Sequence, residues 1–273
     1  MNYIQISISP IDREQSELLM ARLMDSDLQG FEEEENNLNA FFEEDKFNEE
    51  NISDILSTFD LSFSKKIIAE KNWNEVWEKN FEPVIIEDFC TIRAGFHKSF
   101  PKSEYEIIIT PKMSFGTGHH ATTGMMIRAM KEIDFNEKKV FDFGTGTGIL
   151  SILAEKMGAK SVLAIDNDEW SIKNASENIS INHCSTITVE KRDSTPSEGI
   201  FDIILANINK LVIIQNLPSI QQHLADEGVL IISGFLKQDE KDFLRETADN
   251  NLSITASLAQ DNWICLRLKK ILS

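Results

Sequence analysis

Cysteine is too scarce and too scattered in this chain to cross-link it. Cys90, Cys184 and Cys265 lie far apart and outside any C-x-x-C spacing, which argues against a disulfide framework and a zinc site and leaves three buried thiols as the expectation. Long apolar runs are missing as well. No stretch approaches the ~20 residues needed to cross a bilayer, and Met1-Asn2-Tyr3-Ile4-Gln5 is not a basic segment leading into an apolar one. A cytoplasmic protein without a membrane partner is expected. Positive charge is the third shortage: 27 Lys and Arg face 45 Asp and Glu, for a formal net charge of −18. Sixteen of the acidic residues fall in the first 60 positions, against only Arg13, Arg22 and Lys46. Such a field disfavours direct nucleic-acid binding and leaves two readings of the acidic region, a solvated face or a docking surface for a basic partner. With 273 residues and 41% hydrophobic content, the chain has material for a small domain beside a larger one.

Glycine is not abundant either, at 12 residues, yet three of the twelve fall within five positions in Asp142-Phe143-Gly144-Thr145-Gly146-Thr147-Gly148. Val140 to Phe143 reads as a short buried strand, and Ile149, Ile152, Leu153 and Met157 recur at helical spacing. The glycines therefore occupy a strand-to-helix turn, where the backbone takes positive φ and the helix start offers unpaired N–H groups to a ligand. A dinucleotide fingerprint would need its third glycine at position 149, which holds Ile149. Instead a second strand, Ser161 to Ile165, ends in Asp166, 22 residues after Gly144. A carboxylate there is placed to accept both hydroxyls of a ribose, which suits a nucleoside without a pyrophosphate.

At this point the chain resembles the class I S-adenosylmethionine-dependent methyltransferases. With Gly116-Thr117-Gly118-His119-His120-Ala121-Thr122-Thr123 upstream and Leu205-Ala206-Asn207-Ile208 downstream, it is similar to the PrmA family, which methylates the eleventh protein of the large ribosomal subunit. The resemblance covers the last two-thirds of the chain in motif and the first third in size and layout. It implies S-adenosyl-L-methionine as cofactor and a basic ribosomal protein as substrate, modified on lysine side-chain or N-terminal amines. It also implies cofactor-binding roles for Thr123, Gly144, Gly146, Asp166 and Asn207. Asp193 stands where this class often places an acidic residue near the adenine, and it also reads as a loop cap. Asn207, at the carboxyl end of a buried strand, and the carbonyl of Ile208 are expected to accept amine hydrogens and aim the lone pair. The alternative role for Asn207 is a helix cap. Family members often follow the asparagine-isoleucine pair with small apolar residues, and Asn209-Lys210 here departs from that. Two rival readings are a methyltransferase acting on another amine and a binding module that senses the nucleoside.

His119 and His120 are either general-base candidates or residues that shape their loop. No third ligand stands at metal spacing, so no metal is expected. The loop Met113–Thr123 has little to bury and is expected to close over the cofactor.

The fold expected is α/β, a Rossmann-like seven-stranded methyltransferase domain over 84–273 preceded by a small α+β ferredoxin-like unit over 1–70 for substrate recognition. The small unit reads strand, helix from Ile11 to Met24, two strands about Asn36-Asn37, helix Asn48–Phe59 and strand Leu61–Ala69. Between the domains, 71–83 holds Trp73, Trp77 and Phe81 four residues apart, the pattern of a packed linker helix ended by Pro83. Further on, Gln221–Ala225 closes a helix, Gly228–Ser233 forms a strand, and Leu252–Leu258 with Trp263–Leu268 forms a closing antiparallel pair, because the gap between them is too short for a crossover. A monomer is expected.

Overall fold

A computed structural model describes residues 2–24, 26–34, 36–68, 81–99, 103–110 and 117–271. It divides into two units, Met1–Asn80 and Phe81–Ser273. Most of the linker stripe, including Trp73 and Trp77, lies outside the described residues, as does the first part of the glycine loop, 113–116. Phe81 is buried. Among the described residues no helix is long and apolar enough to cross a membrane.

In the first unit, strict alternation makes β1 (Tyr3–Ile8) a half-buried strand, with Ile4, Ile6 and Ile8 facing the core. Helix α1 (Arg13–Leu23) starts in a capping box: Asp12 accepts from the Gln15 amide at 2.8 Å while the Gln15 side chain accepts from the Asp12 amide at 3.4 Å. Strands β2 (Leu28–Glu34) and β3 (Asn37–Glu43) turn at Asn36, whose φ of 63° is a conformation asparagine tolerates. Helix α2 (Glu49–Ser57) is capped by Asn48, and β4 (Phe63–Ile68) completes the unit. The sheet order β2-β3-β1-β4 with antiparallel pairing is the ferredoxin-like arrangement. Its core joins Ile4, Ile6 and Ile8 to Leu19 and Leu23 of α1 and to Ile52 and Leu56 of α2. Edge strand β2 exposes Glu32 and Glu33, like charges that discourage edge-to-edge pairing between copies.

The second unit opens with a small sheet of order β5-β6-β7. Strands β5 (Val84–Ile86) and β6 (Cys90–Ala94) form a hairpin, and β7 (Tyr105–Ile109) adds in parallel. The main sheet has the order β10-β9-β8-β11-β12-β14-β13. Its parallel strands are β8 (Lys139–Phe143), β9 (Ser161–Asp166), β10 (Ile187–Lys191), β11 (Phe201–Asn207) and β12 (Leu224–Leu236). The antiparallel pair β13 (Leu252–Gln260) and β14 (Trp263–Lys270) closes it. Helices α3 (Ala121–Lys131), α4 (Ile149–Lys156), α5 (Glu169–Ile181), α6 (Lys210–His223) and α7 (Glu240–Asp249) connect these strands. Alternation along β8 sets the two faces: Phe141 and Phe143 enter the core with Ile213, Leu217 and Phe243 of α6 and α7, while Asp142 turns the other way to meet Ser151 of α4.

Two boundaries differ from the sequence reading. Helix α6 stops at His223, and β12 begins at Leu224 and runs 13 residues, not merely from Gly228 to Ser233. Leu224 pairs with Phe201 of β11, so tertiary pairing recruits Ala225, Asp226 and Glu227, which have low strand propensity, into the strand.

Helix side chains take the place of a neighbouring strand beside β7. Asn182 accepts from the Ile108 amide at 2.9 Å and donates to the Ile108 carbonyl at 2.6 Å. Asn178 accepts from the Thr110 amide at 2.8 Å and donates to the Thr147 carbonyl at 2.8 Å, which links β7 to the glycine turn. Replacing Asn182 by alanine strands a backbone donor and acceptor, each worth ~1–3 kcal/mol when left unpaired. Asn182→Ala is therefore expected to lower unfolding stability by about 2–4 kcal/mol in urea titrations, without a change in the m-value.

Candidate active site

The glycine turn is built on Asp142. Val140 to Phe143 is apolar and β-prone except at this position, and Asp142 is fully buried. Its Oδ2 accepts from the Thr145 hydroxyl at 2.7 Å and the Ser151 hydroxyl at 2.6 Å, which clamps the turn onto the first turn of α4. Its Oδ1 is buried with no hydrogen-bond partner. Burial pushes the Asp142 carboxyl up to about 6; the two hydroxyls oppose this and the nearby Asp166 charge adds to it. Above the clamp the Ile165 carbonyl accepts from the Gly144 and Thr145 amides, both at 2.9 Å, so the turn leans on the end of β9. Gly144, Gly146 and Gly148 have φ of 77°, 54° and 82°.

Asp166 faces this turn from the tip of β9. Its Oδ2 accepts from the Gly146 amide at 2.9 Å and its Oδ1 from the Asp168 amide at 3.0 Å. Burial raises its pKa, an effect the amides oppose. Each carboxylate oxygen keeps lone-pair capacity, and the residue is only partly buried. The loop after β10 is tied alongside through the Arg192 amide, which donates to the Asp166 carbonyl at 2.9 Å. Asp193 follows on that loop and is exposed.

The opposite wall is the turn from β11 into α6. Asn207 ends β11, and its Nδ2 donates to Thr123 Oγ1 at 3.4 Å. Its Oδ1 is buried and has no hydrogen-bond partner among the described residues. An acceptor removed from water without a donor costs ~1–3 kcal/mol, so this oxygen favours a donor brought to it. The cap of α6 is Asn209, whose side chain accepts from the Val212 amide at 3.0 Å; this role does not fall to Asn207. Ile208 is wedged between two glycines. A Cβ on Gly144 would lie 2.1 Å from Ile208 Cγ2, and one on Gly234 would lie 2.2 Å from the Ile208 carbonyl oxygen. The space beside Gly144 that the sequence assigns to a ligand is thus shared with the Ile208 side chain. Gly234, at φ 96°, sits where the β12–β14 register shifts between Ile232 and Phe235, a bulge that re-aims the backbone.

Thr123 is buried in the first turn of α3. His120 caps that helix: its Nδ1 accepts from the Thr122 amide at 3.3 Å, and its ring meets Trp263 edge-on at 4.6 Å. Burial drives the His120 pKa down to about 4. His119 is exposed by surface area, yet its ring binds the Glu82 carbonyl through Nε2 at 3.0 Å and meets the Phe81 ring at 4.8 Å, and desolvation of the ring lowers its pKa, an effect the Glu82 bond opposes. Lys210 is engaged by Asp239 at 2.8 Å and Asp242 at 2.6 Å.

The structure thus gathers Gly144, Gly146 and Asp166 at one turn and joins Thr123 to Asn207 at the other, with Asp193 at the rim. The sequence reading missed three parts: the clamp under Asp142, the contact of Gly234 with Ile208, and the carboxylates on Lys210. Only Gly234 left a local signal, a glycine at the end of a strand pattern.

The clamp generates a pH signature. A carboxyl near 4 when unfolded and about 6 when folded contributes stability that is fully present below pH 4 and is lost as pH rises through 6, a change of about 3 kcal/mol. In Asp142→Asn that segment of the stability-versus-pH curve is expected to flatten while activity above pH 7 survives, as read by denaturant titrations from pH 4 to 8.

A family profile described as ribosomal protein L11 methyltransferase (PrmA) matches residues 4–271. The ribosomal protein L11 methyltransferase of Phocaeicola vulgatus is 37% identical over 278 residues, covering 98% of this chain and 99% of that protein. The Porphyromonas gingivalis protein of the same description is 38% identical over 260 residues, covering 92% and 89%. A crystal structure of the ribosomal protein L11 methylase of Lactobacillus delbrueckii subsp. bulgaricus superposes with a TM-score of 0.65 at 28% identity, over 70% of this chain and 99% of that one.

Proposed function

The chain belongs to the family of ribosomal protein L11 methyltransferases, and from that premise we propose how its residues divide the work of methylating lysine amines of that protein. When bound, S-adenosylmethionine supplies a methyl group already activated on a positively charged sulfur. What the chain must add is binding, alignment and exclusion of water. Asp166 takes the ribose hydroxyls on its remaining lone pairs. Gly144 and Gly146 let the backbone close on the nucleoside, Asp193 borders the adenine, and Thr123 closes the far side.

Asn207 is the catalytic residue of this reading. The observation that carries it is the buried Oδ1 without a partner among the described residues, an acceptor suited to an N–H of the incoming amine, with the Ile208 carbonyl as the second acceptor. Two acceptors fixed to one backbone turn hold the amine so that its lone pair points along the transfer direction. A quaternary nitrogen offers them no hydrogen and has no lone pair left to attack the methyl, so methylation of one amine ends there.

No general base is assigned. Moving a proton from a lysine ammonium of pKa ~10.4 to His120, at about 4, is uphill by ~9 kcal/mol. The site instead selects the neutral amine, which a water-poor pocket favours. His120 serves to cap α3 and place Thr123.

We assign residues 1–70 to recognition of the basic substrate, residues 71–83 to the link, and residues 84–273 to the chemistry. The acidic surplus of the first 60 residues attracts a basic protein and repels nucleic acid. The chain works as a cytoplasmic monomer, where new ribosomal protein is available.

Two variants separate the roles. Asp166→Ala is expected to weaken cofactor binding roughly ten- to hundredfold in calorimetric titration. Asn207→Ala is expected to lower turnover on the ribosomal protein on the order of 10²-fold, with a smaller change in cofactor affinity. Intact turnover in Asn207→Ala would sink the assignment of that residue. A chain beginning at Asn72 should bind the cofactor yet lose methylation of the ribosomal protein, measured by mass spectrometry; full activity would refute the division of labour.

A further inference from the structure

Lys210 is an unexpected residue at its position. It is the first residue of α6, where the helix dipole disfavours a cation, and the first turn of α6 holds no acidic residue to offset it. Its ammonium instead reaches out of the helix to two carboxylates, Asp239 Oδ1 at 2.8 Å and Asp242 Oδ2 at 2.6 Å. Those carboxylates hold its pKa above the usual lysine value. Asp239 is anchored in turn, because its Oδ2 accepts from the Leu236 amide at 3.3 Å. Leu236 ends β12, two residues beyond Gly234, whose missing Cβ leaves room for the Ile208 carbonyl. The triad therefore ties the residue after the Asn209 cap to the same strand end that abuts Ile208, and so closes a ring around the Asn207–Ile208 backbone.

We propose that Lys210, through Asp239 and Asp242, is a positioning residue that fixes the orientation of the Asn207 side chain and the Ile208 carbonyl toward the incoming amine. The inference rests on the reading of those two groups as the amine acceptors. Lys210 and Asp239 are only about a quarter exposed, at 27% and 21%, so the geometry is restrained more than at a free surface pair. The glycines bound the Ile208 peptide on two sides without bonding to it. Asn207 is paired with Ser233 in the sheet and Asn209 is bonded into α6; the triad adds a side-chain tie across to the end of β12, and a peptide free to rock in that slot would spread the acceptor positions. Misplacement by about 1 Å at a reacting centre costs up to ~10²-fold in rate.

The test uses the full-length chain, S-adenosylmethionine and the ribosomal protein substrate. Lys210→Met is expected to lower kcat about five- to fiftyfold, with cofactor Kd and the substrate KM within about twofold of the parent. Lys210→Arg should recover most of the rate, because a guanidinium can span both carboxylates. The Asp239→Asn/Asp242→Asn chain should show the same loss as Lys210→Met, and adding Lys210→Met to it should not deepen the loss. Without cofactor, the Asn207 side-chain amide resonances, assigned by their absence in Asn207→Ala, should shift in Lys210→Met and return in Lys210→Arg. Parent-like turnover in Lys210→Met overturns the inference. So does a loss that tracks melting temperature and cofactor affinity together, or unmoved Asn207 resonances. If Asn207→Ala itself turns over normally, the acceptor reading falls and the inference with it. If Asn207→Ala is crippled and Lys210→Met is not, only the inference falls.

Discussion

Burying a carboxylate beneath a backbone turn is costly, and Asp142 does so with one oxygen matched by hydroxyls and the other by no partner among the described residues. The cost is tolerable because the two matched bonds close the first turn of α4 onto β8, a junction otherwise held by small residues with little side chain to bury. Once that turn is fixed, Gly146 presents its amide to Asp166 and Gly144 presents a surface without a Cβ to Ile208. The two walls to which we assign the nucleoside and the amine thus share one foundation. Loosening the clamp would move both, whereas loosening either wall alone would leave the clamp in place.

The asparagines of α5 extend the same foundation sideways. Asn178 joins the Thr147 carbonyl of the glycine turn to the Thr110 amide, where the chain leaves β7 toward the glycine loop. Asn182 holds β7 itself. Asparagine has poor intrinsic helix propensity, and its presence at these buried sites reflects the amide's ability to donate and accept at once, as a backbone group does. A geometric link therefore runs from the sheet that delivers the loop to the turn that the cofactor needs.

These links explain what could and could not be read from the chain alone. The ferredoxin-like order, the seven-stranded sheet and its closing hairpin were legible, because each element carries its own periodicity and short gaps dictate pairing. Thr123, Gly144, Asp166 and Asn207 were legible as motifs, since each lies at the end of a strand or the start of a helix. Asn178 and Asn182 were not: polar residues four apart on a helix look like a solvated face until a strand is laid across them. Lys210 read only as a departure from the family pattern, because its partners lie 29 and 32 residues away. Gly234 read as the end of a strand, because only the path of Ile208 shows what a side chain there would strike. Local chemistry is written locally, and the restraints that orient it come from chain crossings that no window of sequence contains.

The histidines show how burial decides between two uses of one residue. At the unperturbed pKa near ~6.5, His120 would be a fair base at neutral pH. Packed edge-on against Trp263 and capping α3, it is driven by desolvation to about 4 and so is neutral at neutral pH. A neutral imidazole of such low basicity accepts a helix amide well and a lysine proton poorly. The same burial that disqualifies it as a base keeps charge out of the pocket. An imidazolium there would oppose both the positive sulfur of the cofactor and any approaching cationic substrate. In the mechanism we propose, deprotonation is thus left to the partition of the amine between water and pocket, and the residues at the site act on direction, holding a lone pair in line, rather than on proton transfer.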